Sequence, residues 1–158
     1  MQLQLFGKRH EESPEDFWSA TAQKRGGDIG FMTYGMLLGR SGDAIVDLPG
    51  LVYTVGETVW FEDFERDNWL SRILGGKRKY EKTEFSFPRA DVTSVRLVAR
   101  GAAARCIGGS VPPDKLPRLS LLGRIFSTPV TQVNLLDGSA FFFDIMKRRE
   151  FVALFATS

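Results

Sequence analysis

The sequence predicts an α+β fold that is mainly β. It is an antiparallel, partly open barrel of about seven strands, with a short N-terminal helix and a C-terminal capping helix. Three observations predict it. Short apolar runs separated by glycine-bearing turns follow one another from Gly30 to Ile145. Thirteen phenylalanines, against three tyrosines and three tryptophans, favour a pleated surface. The final run then changes to helical spacing, with Phe151, Leu154 and Phe155 at i, i+3 and i+4. A long antiparallel sheet must fold over or close to bury its apolar face, and one terminal helix suits an open end.

The elements follow in order. "SPEDFWSATAQKRGGD" reads as a helix of roughly ten residues, the usual length of a capped helix. Ser13 is its N-cap, Pro14 takes the first helical position, and Asp16 completes the capping box. Lys24 and Arg25 fill the last turn, and Gly26-Gly27 is the stop. Such a helix is marginal alone and must pack on something. "FMTYGMLLGRSGDAIVDLPG" reads as two short strands around Ser41-Gly42-Asp43, with a bulge at Gly35. "LVYTVGETVWFEDFERD" is a hairpin turning at Gly56-Glu57. Phe85 and Phe87 alternate with polar neighbours, Pro88 interrupts, and Val92, Val95, Leu97 and Val98 resume. Residues 101–129 read as a long irregular stretch. "VTQVNLLDGSAFFFDI" is a hairpin around Asp137-Gly138. The expected domains are an arm with its helix over residues 1–27 and one main domain over 28–158.

Three quoted pieces carry a family resemblance: "GLVYTVGETVWFEDF", "FSFPRADVTSVRLV" and "VTQVNLLDGSAFFFDIMKRREFVALFA". Over roughly residues 28–158 the chain resembles bacterial members of the pleckstrin-homology-like superfamily, near the GRAM domains. The resemblance implies a scaffold that binds lipids or proteins. The basic loop that phosphoinositide-binding members carry between their first two strands is "GRSGDA" here, with Arg40 offset by Asp43. No headgroup residue carries over to it.

Catalysis finds little support. The single histidine, His10, lies in the arm, and the single cysteine, Cys106, has no partner for a nucleophilic pair or a zinc site. No disulfide can form within the chain. Glu62, Asp63, Glu65 and Asp67 read as an acidic strand edge that discourages pairing, not as a cation loop. No enzyme activity and no cofactor are expected. The N-terminus lacks the apolar run of a signal peptide, and no stretch approaches the length of a membrane span, so the expected location is cytoplasmic.

Net charge is only +2, but it is unevenly spread. Residues 66–81 hold five cations against two anions, and residues 100–128 hold five against one. Each basic segment also carries an apolar cluster. In "NWLSRILGGKRKY" the apolar face is Trp69, Leu70, Ile73 and Leu74, followed by Lys77, Arg78 and Lys79. In "LPRLSLLGRIF", Leu122, Ile125 and Phe126 stand beside Arg118 and Arg124. Such segments either cover their own sheet or form a contact surface. The leading functional reading is a non-catalytic module for protein interaction or self-association. The alternative is peripheral binding to an anionic membrane at the inner face, and the third is an apolar-ligand carrier. Nucleic acid is not expected, because the cations are interleaved with aliphatic rather than stacking aromatic side chains.

Overall fold

In the computed structural model, which describes residues 13–64 and 82–156, the first helix forms as its caps require. α1 spans Pro14–Arg25. The Asp16 backbone N–H donates to Ser13 Oγ, and Gly26 ends the helix in the left-handed region at φ 74°. β1 (Ile29–Arg40), β2 (Leu48–Val55), β3 (Thr58–Asp63) and β4 (Glu84–Pro88) follow as antiparallel neighbours. A short 3₁₀ turn leads into β5 (Val92–Ala99), then α2 (Arg100–Ile107) and a single helical turn, α3 (Gly123–Phe126). β6 (Pro129–Leu135), β7 (Ala140–Ile145) and α4 (Arg148–Ala153) complete the chain.

The seven strands make one open antiparallel sheet in the order β4-β3-β2-β1-β7-β6-β5. β1 is the hub. Its first part pairs with β2 and its second part with β7, so one strand of 12 residues belongs to both halves. The sheet curls around an inner core of Val52, Val59, Phe61, Val133, Phe143 and Ile145, with Phe151 of α4 fully buried among them. Phe85 of β4 stacks on Phe141 of β7 at 4.5 Å between ring centroids, and Phe61 approaches Phe143 at 5.9 Å. Arg89 holds α4 in place by donating to the Leu154 carbonyl, with its guanidinium 6.0 Å from the Phe155 ring. The fold class and both terminal helices therefore match the expectation.

Several local expectations are corrected. The turn at Ser41-Gly42-Asp43 is present, but one long strand precedes it. The next strand begins only at Leu48, after Asp47 turns the chain at φ 45°. Gly35 is regularly paired with Gly50 and Ile145, and the bulge lies between Leu37 and Gly39. Gly50 permits close approach of β2 to β3, since a Cβ there would collide with the Glu62 carbonyl. The stretch after β5 is not wholly irregular. Its alanines form α2, which buries Ala102, Ala103, Cys106 and Ile107 against Val98, Val130 and Phe142 on the sheet's outer face. Small side chains allow that close contact, while the absence of a capping residue hid the helix start.

The acidic run is also reassigned. β3 is an interior strand, and Glu62 is buried on the outer face beneath α1. Arg25 Nη2 lies 3.3 Å from Glu62 and 2.8 Å from Glu84, its Nε donates to the Tyr53 hydroxyl at 3.1 Å, and its guanidinium covers Trp60 at 3.7 Å. Trp18 packs edge-on against Tyr53 at 5.7 Å. These contacts supply the packing that α1 needs. Residues 65–67 of the acidic run and His10 lie outside the described residues.

Arg25→Met is expected to cost roughly 3 kcal/mol in chemical denaturation. That is the low end for stranding one member of a buried ion pair, because Lys82 still reaches Glu62 at 3.4 Å. Burial alone would raise the Glu84 carboxyl, but the Arg25 hydrogen bond and charge outweigh it, with help from Lys24, and hold it below its ordinary value. A carboxylate with a depressed folded pKa stabilises above its unfolded value and loses that contribution as pH falls through the folded one. Glu84→Gln should therefore flatten the acid limb of a stability-against-pH curve. An unchanged acid limb would count against the Arg25–Glu84 contact.

Candidate functional site

After α2 the chain passes Leu116, which is buried, and runs back along the outer edge of the sheet. The Leu119 N–H donates to the Leu97 carbonyl at 3.0 Å and ties this connector to β5. Beyond it the chain leaves the sheet. Ser120 Oγ accepts from the Gly123 N–H at 2.9 Å, and Ser127 Oγ donates to the Gly123 carbonyl at 2.7 Å, so a hydrogen-bonded turn forms around α3. That turn projects Leu121, Leu122, Ile125 and Phe126 into solvent at 70–84% exposure. A cluster of large apolar side chains this exposed on one turn is unusual for a monomer surface.

The expected sites thus divide. Leu122, Arg124, Ile125 and Phe126 stand together on this tip. The segment over 100–128 splits in function: its first half covers the sheet through α2, and only the second half projects. Trp69, Leu70, Ile73, Leu74, Lys77, Arg78 and Lys79 lie outside the described residues.

Beside the tip is an open cleft of about 840 Å³ between the connector and α4. Arg96 of β5, Arg118 and Arg124 of the connector, and Arg148 and Arg149 of α4 line it, with Glu150 the one carboxylate in its wall among the described residues. Leu97, Leu119, Ile145 and Val152 contribute apolar surface, and the exposed Met146 stands at its border. Arg96 is held by its Nε donating to Gln132 Oε1 at 2.9 Å and its Nη2 to the Pro113 carbonyl at 2.7 Å. Burial, and then the charge of Arg118, lower the Arg96 guanidinium below its ordinary value. Arg148 donates to the Pro129 carbonyl at 3.1 Å and lies 3.6 Å from Asp144, while its Nε is buried without a partner. Among the described residues Arg118, Arg124 and Arg149 have no carboxylate partner.

Sequence reasoning named Arg118 and Arg124 but did not bring Arg96, Arg148 and Arg149 to them. The cations of "MKRRE" were visible, yet only the strand order places the start of α4 beside the end of β5. Cys106 lies on the buried face of α2, where burial raises its thiol pKa against the opposing charge of Arg96. Among the described residues no helix is long and apolar enough to cross a membrane. No family model, curated protein or solved structure matches the chain.

Because Leu122 and Ile125 are about three-quarters exposed, the double substitution Leu122→Ser with Ile125→Ser should change unfolding free energy by no more than about 0.5 kcal/mol. Phe143→Ala, in the inner core, should cost about 3–5 kcal/mol in the same denaturation measurement.

Proposed function

We propose that the chain is a non-catalytic binding module that docks peripherally on an anionic membrane surface through the tip around α3. One observation carries this reading: Leu121, Leu122, Ile125 and Phe126 project from a single hydrogen-bonded turn whose flanking arginines, Arg118 and Arg124, lack carboxylate partners among the described residues. Apolar side chains that enter the headgroup boundary gain part of the roughly 1.5–3 kcal/mol that full burial yields for each. Each adjacent cation adds about 1 kcal/mol near an anionic surface. Together these amount to reversible attachment. The cytoplasmic side of a membrane is the fitting location, since anionic lipid is concentrated in that leaflet.

The strand order, with β1 shared between two halves and α4 seated on the inner core, supports a pleckstrin-homology-like scaffold for this role. The phenylalanine-packed interior weighs against an apolar-ligand carrier. Self-association is the second reading, and the same exposed apolar turn favours it. The unpartnered arginines tip the balance toward the membrane, because two copies meeting tip to tip would bring like charges together.

Co-sedimentation with phosphatidylcholine vesicles, with and without phosphatidylglycerol, tests the proposal. Binding should require the anionic lipid and weaken as salt rises. Leu122→Ser with Ile125→Ser should reduce it by at least about tenfold. Vesicle binding indifferent to these substitutions would sink the reading. Sedimentation of the protein alone separates the alternative: a concentration-dependent dimer abolished by the same pair of substitutions, without vesicle binding, would assign the tip to self-association.

A further inference from the structure

Among the described residues five guanidiniums from three separated parts of the chain converge on one cleft, with Glu150 the single carboxylate in its wall. Bringing like charges together is costly. Ordinary structural arginines in this protein avoid it. Arg25, Arg40 and Arg100 each sit against carboxylates within 2.8–3.8 Å. In the cleft Asp144 offsets Arg148 in part, and Glu150 stands on the wall, while Arg118, Arg124 and Arg149 are left without partners among the described residues. The Arg148 Nε, buried and unbonded, is a donor that solvent does not satisfy.

We infer that this cleft is a binding site for a phosphate monoester, held by guanidinium forks from β5, the connector and α4. Three features select that chemistry. Among the described residues every cation lining the cleft is arginine, whose planar fork matches a tetrahedral oxyanion with two parallel hydrogen bonds. The excess of cations suits a group carrying about −1.5 to −2 charges near neutral pH rather than a single carboxylate. Among the described residues no aromatic side chain lines the cleft, so there it offers no stacking platform of the kind single-stranded nucleic acid uses. Arg96 is already oriented by Gln132 and Pro113, which lowers the ordering cost of binding. The phosphate arrives on a lipid headgroup or on a soluble ester. The headgroup source rests on the membrane reading above, since the cleft shares its wall with the connector that carries the apolar tip.

The test uses the full chain and two probes: calorimetric titration with glycerol 3-phosphate, and co-sedimentation with phosphatidylcholine vesicles carrying either phosphatidic acid or phosphatidylglycerol at equal surface charge. Arg118→Gln with Arg149→Gln removes two exposed cations that make no ion pair, so the fold is not at risk. Arg105→Gln, also exposed but away from the cleft, removes a cation as control. The expected result is binding of glycerol 3-phosphate that falls at least about tenfold in the double variant and not in the control. With a headgroup source, phosphatidic acid vesicles are preferred, and the double variant loses the preference. Glycerol 3-phosphate binding without any vesicle binding keeps the site, assigns it to a soluble ester and overturns the membrane reading. Tip-dependent vesicle binding equal for both lipids, with no glycerol 3-phosphate binding, overturns the site and leaves the membrane reading intact. An acidic peptide or single-stranded RNA bound in preference to the phosphate ester also overturns it.

Discussion

An open sheet with unpaired edges can hold an apolar inner face only if side chains do what backbone hydrogen bonds do in a closed barrel. β4 and β5 end the sheet without pairing to each other, so the curl depends on the aromatic layer inside it. Phe85 on Phe141, at an interplanar angle of 12°, joins β4 to β7 across the interior. Phe61, Phe87, Phe143 and Phe151 extend the same layer to the C-terminal helix. The composition follows from this constraint. Thirteen phenylalanines are many for a chain this size, and several of them close what the ladder leaves open.

Once the sheet curls, its outer face needs cover, and two helices divide that work. α1 covers β2–β4 with Trp18 and Arg25, while α2 covers β5–β7 and part of β1 with alanines and Ile107. Gly39 admits Ile107 closely, since a Cβ there would stand 2.9 Å from its Cγ2. With that face occupied up to Leu116, the remaining connector has no sheet left to cover. Its apolar residues are therefore displayed rather than buried. The exposed tip is a consequence of where α2 lies, not of local sequence alone.

The arginines divide along the same line. Those under or beside the helices are neutralised and structural: Arg25 against two glutamates, Arg100 against Asp47 and Asp144, and Arg89 against the Leu154 carbonyl and Glu57. Those beyond Leu116 and at the start of α4 gather around one cleft with little acid to offset them. Arg25 is the most enclosed of the structural arginines, and burial of its charge is offset by its two glutamates.

Local chemistry sufficed for much of this. Ser13, Pro14 and Gly26 delimit α1, Asp137-Gly138 turns the last hairpin, and the spacing of Phe151 and Phe155 marks α4, because caps, turns and periodicity act over a few residues. The apolar and basic character of Leu122, Arg124, Ile125 and Phe126 was legible for the same reason. Glu62 was read as an edge charge because its neighbour β4 and its partner Arg25 lie 22 to 37 residues away in the chain. α2 was missed because alanines without a cap have no local periodic signature, only a fit to the sheet beneath. The cleft is the clearest case. Arg96, Arg118 and Arg148 are unremarkable separately, and only the pairing of β5 with β6 and β6 with β7 brings their positions to one end of the sheet. Amino-acid order by itself determined the class of elements and which surface side chains were unusual. Long-range strand pairing alone decided which charges meet and which apolar residues remain uncovered, since both depend on what the curl has already buried.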